Sequence, residues 1–303
     1  MIDGLLIIDK PEGITSHDVV ARVRRILKTR RVGHTGTLDP FATGVMVVLV
    51  GKATRLAQFL DKDVKEYEAV VRLGFDTDTG DRTGMQVADC GLRNEEIAEA
   101  LDRISLEKVL EEFCGEIGQV PPMYSAKKVE GKKLYELARA GKEIERKPIK
   151  VNIYKLELLS EEQIRNPQSA ISIRVVCSAG TYIRTLAEDI GRRLGTGAHL
   201  EELRRTRSGK FDLSQSITLD KLEKLDDAGS ALLSMEEAIS NLPKFILPPD
   251  RVEKTKNGLS TRVELSELAD GQAVRMQTDG GGLIAVGYYK SDEKAVQPKV
   301  VLV

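Results

Sequence analysis

The sequence predicts an α+β fold, a mixed α/β domain followed by a small β module, on three observations. Strand-like and helix-like segments are interspersed without the regular alternation of a doubly wound sheet. Prolines gather in Leu242-Pro243-Lys244-Phe245-Ile246-Leu247-Pro248-Pro249, where they cannot extend a helix and favour an extended linker. Beyond that linker, two apolar stretches flank Asp279-Gly280-Gly281-Gly282, the signature of a hairpin.

In chain order, Gly4 to Asp9 reads as a short buried strand and Lys10-Pro11-Glu12-Gly13 as the turn after it. A helix is expected from Ser16, which would cap it, with Val19, Val20, Val23, Ile26 and Leu27 at helical spacing. Val45 to Val50 is short and apolar enough for a buried strand. Tyr67 to Leu73 alternates as a half-buried one. Residues from about 94 to 113 read as helical, with Ser105 capping the second of two short helices. A further helix is expected over 132–140, closed by Gly141. Strands follow at about 150–159 and 170–178, then a helix over 181–194 stopped by Gly195. Val274 to Thr278 and Leu283 to Tyr288 form the hairpin of the β module, which ends in Lys299-Val300-Val301-Leu302.

The 303 residues suffice for one large domain with a sizeable core and a small second one. Hydrophobic residues make up 41% and charged residues 31%, and no apolar run approaches the roughly 20 residues that span a bilayer. No membrane association and no secretory signal are expected, so cytoplasmic residence is the default. Cys90, Cys114 and Cys177 are too far apart for a C-x-x-C pair and are expected to be reduced and mostly packed. Lys and Arg number 46 against 47 Asp and Glu, a net charge of -1 that by itself argues against a wholly basic nucleic-acid binder.

The densest segment is Arg30-Arg31-Val32-Gly33-His34-Thr35-Gly36-Thr37-Leu38-Asp39-Pro40-Phe41-Ala42-Thr43-Gly44. It lacks the Gly-Lys-Ser/Thr of a phosphate loop and the G-x-G-x-x-G of a dinucleotide site, so no nucleotide cofactor is expected. Its one acidic residue, Asp39, precedes a proline that biases its backbone away from the α region. A carboxylate held so could act as a nucleophile or general base, or could belong to an ordinary Asp-Pro turn.

This segment resembles the signature of the bacterial tRNA pseudouridine synthase B (TruB) family, a G-H-T-G-x-L-D-P-x-A-x-G string carrying the catalytic aspartate. Four other landmarks resemble the family's motifs in order: Asp9-Lys10-Pro11-Glu12-Gly13, Lys65-Glu66-Tyr67, Pro121 to Lys128, and Gly180-Thr181-Tyr182-Ile183-Arg184-Thr185-Leu186. The resemblance implies a pseudouridine synthase fold with a largely antiparallel central sheet and flanking helices, plus a small C-terminal PUA-like β domain. The division expected is 1–242, with an RNA-clamping insertion at about 123–150, and 243–303.

It also implies the chemistry: uridine to pseudouridine at position 55 in the T-arm of tRNA, with no metal and no cofactor because no atom is added. Asp39 would be the nucleophile, attacking the sugar C1′ or promoting departure through a glycal-like sugar. Arg184 would pair with Asp39 and favour its ionised form. Tyr67 would stack on the target base and take a proton from the sugar, or simply pack in its strand. Tyr182 and Leu203 would wall the pocket, although the residues around Leu203 read as a helix whose core it joins. Lys10 would support the loop or touch RNA, and His34 would fill the space the flipped base leaves. The partner expected is the tRNA T stem-loop, bound by a monomer.

Three cationic clusters would bind phosphates without reading sequence. They are Arg22, Arg24, Arg25, Lys28, Arg30 and Arg31; Lys127, Lys128, Lys132, Lys133, Arg139 and Lys142; and Arg192, Arg193, Arg204, Arg205, Arg207 and Lys210. Two other readings stay open at this point. One is an RNA-binding or tRNA-folding protein without chemistry. The other is a hydrolytic glycosidase, which normally needs two carboxylates flanking the bond.

Overall fold

The computed structural model describes residues 2–89, 103–125, 127–129, 131–139, 141–142, 144–159, 170–263 and 268–303. Ten strands of these residues form one sheet: β1 (Gly4–Lys10), β2 (Val32–His34), β3 (Thr43–Val50), β4 (Lys65–Leu73), β5 (Gly115–Gln119), β6 (Ile149–Leu158), β7 (Ala170–Cys177), β8 (Ala198–Ser208), β9 (Phe211–Asp212) and β10 (Ile217–Thr218). The order is β10-β1-β3-β8-β4-β7-β6-β5, with β2 beside β3 and β9 beside β8. Only the β1/β10 and β3/β8 pairs are parallel, so the sheet is largely antiparallel as expected.

The apolar runs of β1 and β3 are explained by what lies on each side. Leu5, Ile7, Val45, Val47 and Leu49 enter one core, while Leu6, Ile8, Met46, Val48 and Val50 enter another beneath helix α1 (Ser16–Ile26). Successive side chains of a strand point to opposite faces, so both faces must be apolar when both are covered. In β4 the expected alternation holds, with Tyr67, Ala69, Val71 and Leu73 buried. They face Ile183, Leu186, Ala187 and Ile190 of helix α4 (Ile183–Leu194), which ends at Gly195 in the left-handed conformation.

Several expectations are corrected. Thr15, not Ser16, caps α1, through a capping box with Asp18; Ser16 is the first helical residue and is buried. Helix α2 (Arg103–Glu112) already contains Ser105, and the expected helical residues before 103 lie outside the described residues. Lys132–Lys133 pairs with Lys128–Val129 as a short ladder, so the next helix, α3 (Leu134–Arg139), starts later; Gly141 closes it with a hydrogen bond to the Ala138 carbonyl at 2.9 Å. Cys114 is exposed rather than packed, Cys177 is buried, and Cys90 lies outside the described residues.

The largest correction concerns Leu203, which sits in strand β8 and not in a helix. Irregularities between Leu200 and Glu202 and between Arg205 and Arg207 break the period of two. Buried positions therefore fall at Ala198, His199, Leu200, Leu203, Arg205 and Ser208, without the strict alternation that marks a strand.

The C-terminal residues form a second sheet of β11 (Lys244–Ile246), β12 (Thr261–Arg262), β13 (Ala273–Gln277), β14 (Leu283–Lys290) and β15 (Ala295–Val301), in the order β11-β13-β14-β15-β12. The hairpin at 279–282 joins β13 to β14 as expected. Leu283, Val286, Val300 and Leu302 share a core with Leu5, Ile7, Val45, Val47 and Leu49, so the module packs on the back of the β1/β3 pair. No described helix is long and apolar enough to cross a membrane.

Candidate active site

The chain from Thr35 to Ala42 crosses between β2 and β3, and buried groups grip it from below. Arg205, 2% exposed, points its guanidinium at three carbonyls, those of Val45 (2.6 Å), Gly36 (3.2 Å) and Thr37 (3.5 Å). Lys10 is fully buried, and its ammonium donates to the carbonyls of Pro11 (2.9 Å), Pro40 (3.1 Å) and Ala42 (2.6 Å). Of the two roles expected for Lys10, these contacts fit support of the loop. Burial pushes its pKa down to about 8. The Ala42 N–H donates to the Asp39 carbonyl at 3.1 Å, making Asp39 to Ala42 a turn. Gly44 has φ +101°, and any Cβ there would lie 2.2 Å from the Arg205 carbonyl oxygen, so the approach of β8 to β3 requires glycine.

Asp39 stands at the top of this turn and meets Arg184 in a two-pronged contact. Nε lies 2.9 Å from one carboxylate oxygen and Nη2 3.1 Å from the other. The rest of the guanidinium is taken by the carbonyls of Thr79 (2.9 Å) and Tyr124 (2.7 Å), and Nη1 is 3.7 Å from a second carboxylate, Asp81. Asp81 is itself buried and accepts from Thr79 Oγ1 (2.9 Å), Thr83 N (2.9 Å) and Thr83 Oγ1 (2.5 Å). The Arg184 side chain is only 6% exposed and that of Asp39 32%, so the pair opens to solvent on the aspartate side. Burial pushes the Asp39 carboxyl above its ordinary value; Arg184 pulls the other way and Asp81 pushes with the burial. The expected effect of Arg184 is therefore present, but burial outweighs it.

The sheet carries the other expected residues. Tyr67 is directly opposite Arg205 across β4 and β8, and Leu203 is opposite Ala69, two pairs along and on the same face. Leu38, Phe41, Tyr67 and Leu203 belong to one buried cluster. Burial drives the Tyr67 hydroxyl upward, opposed by the Arg205 guanidinium beside it. Tyr182 immediately precedes α4, where Gln119 grips its peptide on both sides: the Tyr182 N–H donates to Oε1 at 2.9 Å and Nε2 donates to the Tyr182 carbonyl at 3.2 Å. His34 ends β2, with Nδ1 buried and unpartnered, and meets His17 edge-on at 6.0 Å. A cleft of about 500 Å³ opens past Phe41 and Leu203, rimmed by Glu12, Arg82 and Arg204.

Asp81, Gln119 and the carbonyl-binding role of Arg205 were not legible from sequence. Each acts on a residue distant in the chain, and only the Gly80-Asp81 turn with its flanking threonines hinted at a local network. The third cationic cluster is largely consumed within the fold. Arg204 pairs with Asp9 (2.9 Å), Arg207 with Glu66 (3.0 Å), Arg192 with Asp189 (2.6 Å) and Arg193 with Glu112 (2.6 Å), while Lys210 donates to Ser240 and to the Glu237 carbonyl. In the first cluster Arg22 pairs with Asp220 and Glu223, whereas Arg25, Lys28 and Arg30 are exposed. Lys142 of the second is exposed too; the side chains of Lys128, Lys132, Lys133 and Arg139 lie outside the described set.

The sequence model of the TruB family pseudouridylate synthase N-terminal domain matches residues 24–183, and that of the tRNA pseudouridylate synthase B C-terminal domain matches 184–252. The chain belongs to the TruB family of pseudouridylate synthases. Within this TruB-family chain, Asp39 and Tyr67 fall in the first match and Arg184 and Leu203 in the second. It is 40% identical to the tRNA pseudouridine synthase B of Bacillus subtilis (strain 168), over 100% of this chain and 98% of that one. With the Geobacillus thermodenitrificans (strain NG80-2) protein of the same name it shares 47% identity over 86% of each. Among solved structures, a chain of a Cbf5-Nop10-Gar1 complex superposes with a TM-score of 0.74 at 31% identity, over 99% of this chain and 85% of that one. A chain of an H/ACA RNP bound to a substrate RNA containing 2′-deoxyuridine gives 0.73 at 30%, with the same coverage.

Proposed function

We propose that this TruB-family protein isomerises uridine to pseudouridine in tRNA, at position 55 of the T-arm, with Asp39 as the group that opens the glycosidic bond. The observation carrying this reading is the Asp39–Arg184 pair at the mouth of a loop that buried cations immobilise. An aspartate oriented by a two-pronged arginine presents a fixed oxygen to the sugar, so little reorganisation is needed at the moment of reaction. The bond from C1′ to N1 breaks, the uracil turns, and C5 joins C1′; the C5 proton leaves and N1 gains one, so the product has the atoms of the substrate. Attack on C1′ and loss of the 2′ proton to Tyr67, giving a glycal, are both compatible with the placement of these groups.

The target base must leave its stack, at a cost of a few kcal/mol. Tyr67 and Leu203 would receive it, Tyr182 would close one wall, and His34 would occupy the vacated space. Exposed Arg25, Lys28 and Arg30, close in sequence to the catalytic loop, would meet phosphates. Residues 1–242 would form the catalytic unit, with 123–150 clamping the T stem-loop, and 243–303 an RNA-binding β unit; the protein would act as a cytoplasmic monomer. The test is an unmodified tRNA transcript incubated with wild type and with Asp39→Asn. Wild type forms pseudouridine at position 55, seen by mass spectrometry, and the variant binds without converting. Equal conversion by both would refute the role of Asp39, and free uracil would point to a glycosidase.

A further inference from the structure

Freed from the capping role that falls to Thr15, the Ser16 hydroxyl has another occupation. Its Oγ accepts from the Leu38 N–H at 2.9 Å and donates to the Leu38 carbonyl at 3.1 Å. Ser16 is 1% exposed and Leu38 4%, so no water replaces these bonds if the hydroxyl is removed. Leu38 is the residue before Asp39, and the peptide joining them carries that carbonyl. Lys10 and Arg205 hold the loop at Gly36, Thr37, Pro40 and Ala42; Ser16 holds it at the position between those two sets. We infer that Ser16 is a positioning residue for Asp39, one hydroxyl that fixes the Leu38–Asp39 peptide and with it the direction in which the carboxylate meets Arg184.

The inference rests on the catalytic role proposed for Asp39. It separates two jobs at neighbouring positions of one helix start. Thr15 and Asp18 complete the helix, with Thr15 Oγ1 accepting from the Asp18 N–H at 3.1 Å and the Asp18 carboxylate accepting from the Thr15 N–H and hydroxyl, so their side chains are hydrogen-bonded to each other. Ser16 leaves the capping untouched and reaches 22 residues along the chain to the loop. A purely structural hydroxyl would show itself in stability; a positioning one shows itself in the rate of the bound complex, because misplacing a reacting group by about 1 Å can cost on the order of 100-fold.

The experiment measures single-turnover pseudouridine formation, tRNA affinity and Tm for wild type, Ser16→Ala, Ser16→Thr and Thr15→Ala, with Asp39→Asn as the inactive reference. Ser16→Ala is expected to slow the bound complex about 10-fold or more while tRNA affinity stays within about twofold. Thr15→Ala is expected to lower Tm with its rate within about twofold of wild type, and Ser16→Thr, which keeps the hydroxyl, to recover most of the rate. A Ser16→Ala rate within twofold of wild type overturns the inference, as does a Ser16→Thr rate no better than that of Ser16→Ala. An active Asp39→Asn would instead bring down the underlying assignment of Asp39, so the two failures are told apart.

Discussion

Replacing Arg184 with Gln removes a guanidinium from four oxygens at once. The two contacts to Asp39 are charge-assisted, a class contributing about 1.5–3 kcal/mol each. Breaking a buried ion pair by deleting one partner costs about 3–5 kcal/mol, because the remaining charge is left uncompensated. With the Asp39 side chain 32% exposed, the lower end applies, about 3 kcal/mol, or roughly 100-fold in rate if the loss falls on the oriented aspartate. The pH profile makes the argument sharper. The role proposed for Asp39 needs it ionised, and burial already holds its carboxyl above its ordinary value, so activity is expected to fall as pH drops through that raised value. Arg184 is the largest influence pulling it down; without it the acid limb moves to higher pH. Arg184→Lys keeps a charge but not the fork, so its acid limb shifts less while its rate still drops. The assay is pseudouridine formation from a tRNA transcript over about pH 4.5 to 8, under single-turnover conditions. An Arg184→Gln enzyme with wild-type rate, or with an acid limb displaced downward, would refute this reasoning.

Lys10→Met orphans the buried carbonyl of Ala42, at about 1–3 kcal/mol, while that of Pro40 keeps the Gly13 N–H, so its melting temperature should fall by a few degrees and its activity with it; an unchanged melting curve contradicts the role of the ammonium. In wild type the same ammonium, held down to about 8, loses its proton as pH rises through that value, and a descending basic limb is expected there; a profile flat to pH 10 speaks against it. Gly80→Ala forces a Cβ to within 2.2 Å of Glu188 Oε1 at a backbone φ of +71°, and calorimetry should show about 1–3 kcal/mol of destabilisation, partly relieved by adding Glu188→Ala. Arg25→Glu should weaken tRNA binding and flatten its salt dependence, whereas Arg193→Ala, which only frees Glu112, should leave affinity within about twofold in a filter-binding titration.

What the sequence disclosed tracks how locally each feature is determined. The runs of β1 and β3, the alternation in β4 and the glycine stop after α4 are written in adjacent residues, and the structure holds them at nearly the expected bounds. The aspartate loop was legible as a motif, and its meeting with Arg184, 145 positions away, followed from the resemblance. β8 was not legible, because its irregularities break the period of two by which a strand is read. The arginine-rich stretch 204–207 read as RNA-binding surface, yet pairing across the sheet turns Arg205 inward and spends Arg204 and Arg207 on Asp9 and Glu66. Asp81 and Gln119 escaped for the same reason: the fold alone brings Arg184 to the one and Tyr182 to the other.

The core shared by the first and last strands bears on how the protein is born. Leu5 and Ile7 are made well before the side chains that cover them, Leu283, Val286, Val300 and Leu302. Val45 and Val47, which lead out of the aspartate loop, wait under the same cover. The strands that flank the loop thus gain their full cover only once β14 and β15 have been made, and synthesis that stops short of β14 leaves an apolar sheet face open to aggregation rather than a smaller enzyme.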